Sequence, residues 1–359
     1  MLTIYPEKEY PDAVEFCKLF LREKVKPRYV LGRNEYAASI AGCIDVSGFI
    51  DDFTCEKEYL GKPIFKMTEI SRDSMVVSAV ALVRPLIALN NLKSHGLTSC
   101  LDYYHFFKYS GLALKEIDFM RGGKADIEKN LDKYKWIYDR LEDDTSRHVL
   151  EGLLNFRFSS DLHYMIRFEY APERQYFEDF LVLKPGENFV DAGGYDGQTT
   201  VDFIKKCPDY KSIHFFEPDP QNIELARANL YGYDNIYFYT MGLAESRKTL
   251  RFSLGRGTSS KVSETGEVEI HVDAIDNLIE APISLVKMDV EGAEGIALAG
   301  ASLHIVKDHP KLAISCYHKF DDIWKIPEQI LAMRDDYSIY LRHYTEGVAE
   351  SVMYFIPRA

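Results

Sequence analysis

The sequence predicts an α/β protein with two parallel sheets and a helical piece between them. Strand-length apolar runs alternate with helix-length stripes over roughly 25–110 and again over 183–359. Between these stretches the apolar spacing is helical. In each stretch a strand runs into a glycine turn, at Gly32 and at Gly193–Gly197.

In the first stretch RYVL (28–31) reads as a short strand with Gly32 at the turn behind it. A helix from about Glu35 to Gly42 follows, then a strand at about Val46–Ile50 that ends in Asp51-Asp52. Met75–Leu82 is a continuous apolar run with several valines, as a strand buried on both faces requires. A helix from about Arg84 to Ser94 and a strand near Leu97–Leu101 complete the alternation. In the middle piece Ile127, Leu131, Tyr134, Tyr138 and Leu141 predict one amphipathic helix. A second starts near Asp144-Thr145, which supply cap chemistry, and carries Val149, Leu150, Leu153 and Leu154.

The second stretch is the clearest. NFVD (188–191) is a strand, Gln198–Cys207 a helix, SIHFFE (212–217) a strand and Pro220–Leu230 a helix. IYFYT (236–240) is a third strand, and Lys248–Leu254 and Val268–Val272 are shorter strands around a Gly/Ser-rich loop. SLVKMDV (284–290) is a buried strand followed by a helix from about Gly292 to Leu303. Lys311–Tyr317 is a strand and Ile323–Arg334 a helix. Tyr337–His343 and Val352–Pro357 flank a turn at Glu346-Gly347. So short a connection cannot make a parallel crossover, so the last strand should enter antiparallel.

At roughly 150 residues per domain, 359 residues suggest two domains and could stretch to three. The elements divide as 1–110, a helical connector at 111–174, and 175–359. Lys and Arg number 43 against 56 Asp and Glu, a net charge of −13. That balance disfavours nucleic acid and anionic membranes as partners, since both need a basic face. With 46% hydrophobic and 28% charged residues, disorder is excluded for most of the chain. The six cysteines are scattered and form no zinc-spaced cluster, so reduced thiols are expected, and Asp289 with Glu291 lack a third nearby ligand for a divalent ion, so no metal is expected. The N-terminus lacks the apolar core of a signal peptide, and the most apolar run, 75–89, is broken by Arg84 and Pro85. A soluble, cytoplasmic protein is expected.

Asp191-Ala-Gly-Gly-Tyr-Asp-Gly197 lies between a strand and a helix. Glycines there let the backbone approach a ligand closely, and the helix N-terminus offers free N–H groups. Glu217 ends the next strand, where a carboxylate can accept both hydroxyls of an adenosine ribose. Together they point to a nucleoside cofactor. Both NAD and S-adenosylmethionine use this layout. The acid before the glycines suits a positively charged amino group, and a full second dinucleotide half is missing, which favours S-adenosylmethionine.

Residues 175–357 resemble the FkbM family of S-adenosylmethionine-dependent methyltransferases. The resemblance rests on QYFEDF (175–180), FVDAGGYDGQTT (189–200), HFFEPDPQNIELARANL (214–230), VDAIDNLI (272–279) and SLVKMDVEGAEGIALAGA (284–301). It implies a Rossmann-like class I methyltransferase sheet of seven strands, ordered 3-2-1-4-5-7-6, and O-methylation, commonly of a sugar or polyketide hydroxyl. It also implies a cofactor site made of Gln175, Asp191, Gly193, Gly194, Tyr195, Gly197, Glu217, Pro218, Met241, Gly242 and Asp289. Tyr195 stands where methyltransferases in general have glycine, and Met241-Gly242 lacks the acid often seen at the adenine edge.

Methyl transfer needs the hydroxyl held in line and its proton accepted. Asp289 and Glu291 end the fourth strand on the ligand side of such a sheet, and His318 follows the fifth, so these three are the catalytic candidates. Glu291 and Glu294 also open a helix, where the dipole favours carboxylates without any ligand.

The span 28–105, with VSGFIDD (46–52) and GKPIF (61–65), resembles the nucleotide-sugar-binding domain of PglD-type sugar acyltransferases. That resemblance places Gly32 and Arg33 at a diphosphate and Asp51 or Asp52 near the ribose or base. The expected acceptor is a sugar, nucleotide sugar or glycan precursor, and a homo-oligomer is compatible with the sequence. Two alternatives stand at this point: an NAD-dependent oxidoreductase, and a non-catalytic nucleotide-sugar-binding protein.

Overall fold

The computed structural model describes residues 1–22, 26–253, 261–262 and 268–358. Its first sheet contains β1 (Arg28–Leu31), β2 (Gly48–Ile50), β3 (Glu58–Tyr59), β4 (Lys62–Phe65), β5 (Met75–Ser78) and β6 (Cys100–Asp102). They lie in the order β3-β4-β2-β1-β5-β6, all parallel except the β3–β4 pair. Helices α1 (Pro11–Leu21), α2 (Glu35–Cys43), α3 (Pro85–Ser94) and α4 (Tyr103–Tyr109) surround it. The strand order turns back between β1 and β5, which opens a crevice at their C-terminal ends. Asn34 bridges that crevice: its Oδ1 accepts the Ala37 amide, and its Nδ2 donates to the Ala79 carbonyl at 2.9 Å.

Four of these elements, α1, α4, β3 and β4, were not foreseen. Helix α1 has a narrow stripe of Ala13, Cys17 and Phe20 that only tertiary packing rewards. Helix α4 is almost all aromatic, a composition with weak intrinsic helix preference, and it depends on the Asp102 cap on the His105 amide. The β3–β4 hairpin is only two to four residues per strand.

The connector holds α5 (Gly123–Lys129), α6 (Leu131–Tyr138) and α7 (Asp144–Ser159). The single helix expected across 127–141 is therefore two. Asn130 leaves helical geometry and turns its side chain back to Asp126, the competition with the backbone that makes Asn a poor helix-interior residue. Helix α7 is capped one residue earlier than expected, by Asp143 on the Ser146 amide at 2.7 Å.

The second sheet begins with β7 (Asn188–Ala192), α8 (Gln198–Lys206), β8 (Ser212–Phe216), α9 (Pro220–Asn229) and β9 (Ile236–Tyr239). A small side sheet follows, from β10 (Gly242–Leu243), β11 (Lys248–Ser253), β12 (Lys261–Val262) and β13 (Val268–Asp273). Much of the expected Gly/Ser-rich loop lies outside the described residues. After α10 (Ile275–Leu278) come β14 (Leu285–Met288), α11 (Glu294–Ala299), α12 (Ser302–Asp308), β15 (Lys311–Ser315), α13 (Asp322–Met333), β16 (Tyr337–His343) and β17 (Ser351–Pro357). The seven main strands lie in the order β16-β17-β15-β14-β7-β8-β9, with β17 antiparallel to both neighbours. The helix expected over 292–303 is split near Gly300, where a Cβ would stand 2.0 Å from the Ala244 carbonyl. The backbones touch there, and the chain bends to permit it.

Successive residues of β7 serve different cores, as a strand's period of two requires. Val190 belongs to a core that runs unbroken from Phe20 and Val77 through Ile137 and Phe156 to Met288 and Met353. Phe189 faces a second core with Phe203, Phe215 and Tyr354. The connector is thus interior mass. The loop between β16 and β17 reaches back to the first sheet. The Glu346 amide donates to the Val83 carbonyl, and the Glu346 carboxylate accepts the Ile87 amide at 2.8 Å. Gly347 packs so close that a Cβ would lie 2.2 Å from the Leu82 carbonyl. Among the described residues no helix is long and apolar enough to cross a membrane.

Candidate active site

The glycine turn follows β7. Gly193 has φ +75°, and a Cβ there would stand 1.8 Å from the Asp289 carbonyl. A Cβ on Gly194 would meet the Phe215 ring at 2.1 Å. Gly197 caps α8 with φ +85°. Only glycine fits such approaches, which pack the turn against the Asp289 backbone and the Phe215 ring at the sheet's C-terminal edge. Tyr195, its side chain exposed, also has a positive φ, +51°.

Asp191 itself is wholly buried. Its Oδ2 accepts the Thr200 hydroxyl at 2.7 Å, and its Oδ1 lies 3.1 Å from Lys287 Nζ. Lys287 also donates to the Gly193 carbonyl at 2.6 Å and sits over the Tyr176 ring. The Asp191 side chain therefore braces the turn from inside.

Glu217, just past β8, is buried. It accepts the Tyr195 amide at 3.2 Å and the Asp219 amide at 2.9 Å. Burial raises its pKa, against the lowering effect of those amides. The Asn222 side-chain amide also donates to Glu217, at 3.4 Å, so of a carboxylate's roughly four lone-pair sites three are taken and one is left for a further donor. Pro218 follows it, half-buried. Met241 and Gly242 lie at the neighbouring edge, with the Met241 amide bonded to the Tyr239 carbonyl and Gly242 opening β10.

Beyond β14 and β15 an acidic cluster surrounds one imidazole. His318 Nε2 lies 3.4 Å from Asp289 Oδ1 and 3.5 Å from Glu291 Oε2, and its Nδ1 lies 2.9 Å from Glu294 Oε1. Burial disfavours the imidazolium, but Glu294, Asp289 and Glu291 outweigh it and push the His318 pKa up to about 10. Burial raises Glu291 to about 7, with Asp289 and Glu294 adding to the rise and His318 opposing it. Tyr176 donates to Asp289 Oδ2 at 2.7 Å. Gln175, expected at the cofactor, donates instead to Glu350 at 2.6 Å, and Glu350 also accepts from Tyr317.

Tyr176, Lys287, Tyr317 and Glu350 were not among the expected site residues. Tyr176 and Lys287 lay inside motif segments, so a signal existed for them. Glu350 comes from the last hairpin loop and had none. Tyr176, Tyr195, Glu291 and Glu350 are four of the eight described non-glycine residues with a left-handed backbone. Such strain concentrates where the surroundings over-determine a geometry.

The first sheet gathers Gly32 (φ +105°), Arg33 and Asp51 at the ends of β1 and β2. Arg33 is paired with Asp51 at 2.7 Å and Glu56 at 2.6 Å. Asp52 turns away and accepts the Met67 amide at 2.8 Å.

Residues 191–344 match a family model described as the methyltransferase FkbM domain. The structure is similar to a crystal structure of methyltransferase FkbM from Methylobacillus flagellatus KT, at 25% identity and TM-score 0.75. That likeness covers 96% of this chain and 93% of that one, so it takes in both sheets. An rRNA methylase from Streptococcus thermophilus aligns at 14% identity and TM-score 0.34, over 50% of this chain and 90% of its own. A methyltransferase from Streptococcus mutans in complex with SAH aligns at 16% identity and TM-score 0.30, over 48% and 90%. No curated protein matches the sequence. The matched domain and the whole-length likeness make this protein a methyltransferase.

Proposed function

We propose that this methyltransferase uses S-adenosylmethionine to methylate a hydroxyl of a sugar, nucleotide sugar or glycan precursor. The observation that carries the cofactor assignment is the junction of the glycine turn with Glu217, where the Tyr195 amide donates to the Glu217 carboxylate. Gly193 is partly exposed in the turn, and the Glu217 carboxylate is fixed beside it by the Tyr195 and Asp219 amides. These residues fit a nucleoside with a charged amino-acid tail.

When bound, S-adenosylmethionine supplies a methyl group on a sulfonium, whose S–C bond breaks with its electron pair left on sulfur as the O–C bond forms. The remaining work falls on this chain. Glu217 and Pro218 would hold the nucleoside, and Met241 and Gly242 would offer main-chain groups to the adenine. Asp191 and Lys287 keep the turn in shape from below. Asp289, Glu291 and His318 line the acceptor side. Glu291 is the most open of the three, with a side chain 35% exposed, and it takes the hydroxyl proton.

The sugar class rests on the crevice at Gly32, where the Arg33–Asp51 pair holds a guanidinium beside a positive-φ glycine. A diphosphate there would compete with Glu56 for Arg33. The proposal is tested by calorimetric titration with S-adenosylmethionine and NAD, followed by methyl transfer from labelled cofactor to free and nucleotide-linked sugars. Binding of NAD alone would overturn the cofactor assignment. Transfer only to acceptors without a sugar would overturn the substrate class.

A further inference from the structure

We propose that Asp289, Glu294 and His318 form a binding site for a divalent cation of the magnesium or manganese class. Each of the three offers one ligating atom within 4.8 Å of the others. The His318 side chain is only 3% exposed, and neither ring nitrogen makes a hydrogen bond of good geometry. Its Nε2 lies 3.4 Å from Asp289 Oδ1, which is itself buried and without a hydrogen-bond partner, as is Glu294 Oε2.

The charges point the same way. Among the described residues, every ion pair made by Asp289, Glu291 or Glu294 is with the single ring of His318. The nearest lysines are committed elsewhere: Lys287 to Asp191, and Lys319 to the Gly292 carbonyl. Glu294 is buried and Asp289 is four-fifths covered, and such carboxylates in excess of their counter-charges are costly, a cost that a bound dication removes. Two carboxylates and one imidazole, with no thiolate, suit a hard cation that keeps open positions for water or a hydroxyl. The backbone is already built for it, since the Val290 and Gly292 amides hold Glu294 Oε1 in place.

This site rests on the proposed methyl-transfer function and deepens it. A cation beside Glu291 would take the acceptor's hydroxyl oxygen as a ligand and favour its deprotonation, with Glu291 receiving the proton. It would select acceptors with two adjacent oxygens, such as vicinal diols.

The test is calorimetric titration of the chelator-treated full chain with manganese chloride, with free manganese followed by electron paramagnetic resonance. One saturable site is expected. Asp289→Asn, a near-isosteric change, and His318→Gln should each weaken binding by about tenfold or more, with folding checked by thermal denaturation. His271→Gln, on the side sheet, should leave it unchanged. No saturable uptake at millimolar manganese, or binding indifferent to both site variants, would overturn the site. S-adenosylmethionine is titrated into the same metal-free protein. Its binding without manganese uptake would sink only the metal site, and manganese uptake without it would sink only the cofactor assignment.

Discussion

Lys287 stands directly opposite Asp191 in the parallel register of β14 on β7, with its Nζ 3.1 Å from the carboxylate. Both side chains are closed to solvent, so each is the other's principal compensation for lost hydration. Replacing Lys287 by Met should strand a buried carboxylate and destabilise the fold by about 3–5 kcal/mol. Adding Asp191→Asn should recover part of that loss. Urea denaturation of the single and double variants measures both, and a strictly additive double variant would show that the pair is not coupled.

Gly193→Ala should lose cofactor binding. Its Cβ would fall 1.8 Å from the Asp289 carbonyl, at a φ of +75° that costs a non-glycine residue about 1–3 kcal/mol before any clash. The turn must shift, and Asp289 with it. Calorimetry with S-adenosylmethionine checks the outcome, and wild-type affinity in a folded variant would contradict it.

Glu217→Ala should weaken S-adenosylmethionine by about 1.5–3 kcal/mol, the range for hydrogen bonds to a charged group. Glu217→Gln should lose less, because one oxygen still accepts. Equal affinity across the three proteins would place the ribose elsewhere.

His343 should make a contribution to stability that is lost as the medium becomes acidic. Burial, opposed by the Gly347 carbonyl and helped by Arg157, lowers the pKa of His343 to about 3. The unfolded imidazole titrates near 6.5. Below that pH the unfolded chain binds the proton first, so this group's contribution is complete above about 6.5 and drains away toward about 3. The slope is at most about 1.4 kcal/mol per pH unit for this one group. Urea midpoints between pH 7 and 4 should therefore fall less steeply in His343→Asn than in the parent protein.

Glu346 joins the last hairpin to the start of α3 through the Ile87 amide at 2.8 Å. Glu346→Ala should cost about 0.5–2 kcal/mol, the usual penalty for losing a helix N-terminal acceptor. The loss should appear in thermal denaturation of the whole chain, because the same core spans both sheets. Separate melting of the two sheets would argue against that shared core.

Much of the secondary structure was legible, because strands and helices announce themselves within one element's length. The valine-rich run at Met75 and the pattern around Asp191 and Glu217 both did so. Boundaries were less legible where a single residue decided them. Asn130 divides one apparent helix, and Gly300 divides another because the Ala244 backbone lies against it. The first is a local competition for hydrogen bonds. The second depends on an element more than fifty residues away, and no periodicity reports it.

The sequence by itself determined the alternation of elements, the glycine turn, the carboxylate after the second strand of the larger sheet, and the acids and histidine that follow its fourth and fifth strands. Only the tertiary structure decided what those groups face. The register of β14 against β7 turned Lys287 onto Asp191, and the parallel neighbours β14 and β15 brought Asp289 to His318. The last hairpin contributed Glu350 and the seam to the first sheet. Local conformation follows from backbone preference and side-chain period, which a short window of sequence contains. The partner of a buried charge is set by which distant strands lie side by side, and that is fixed only when the whole core closes.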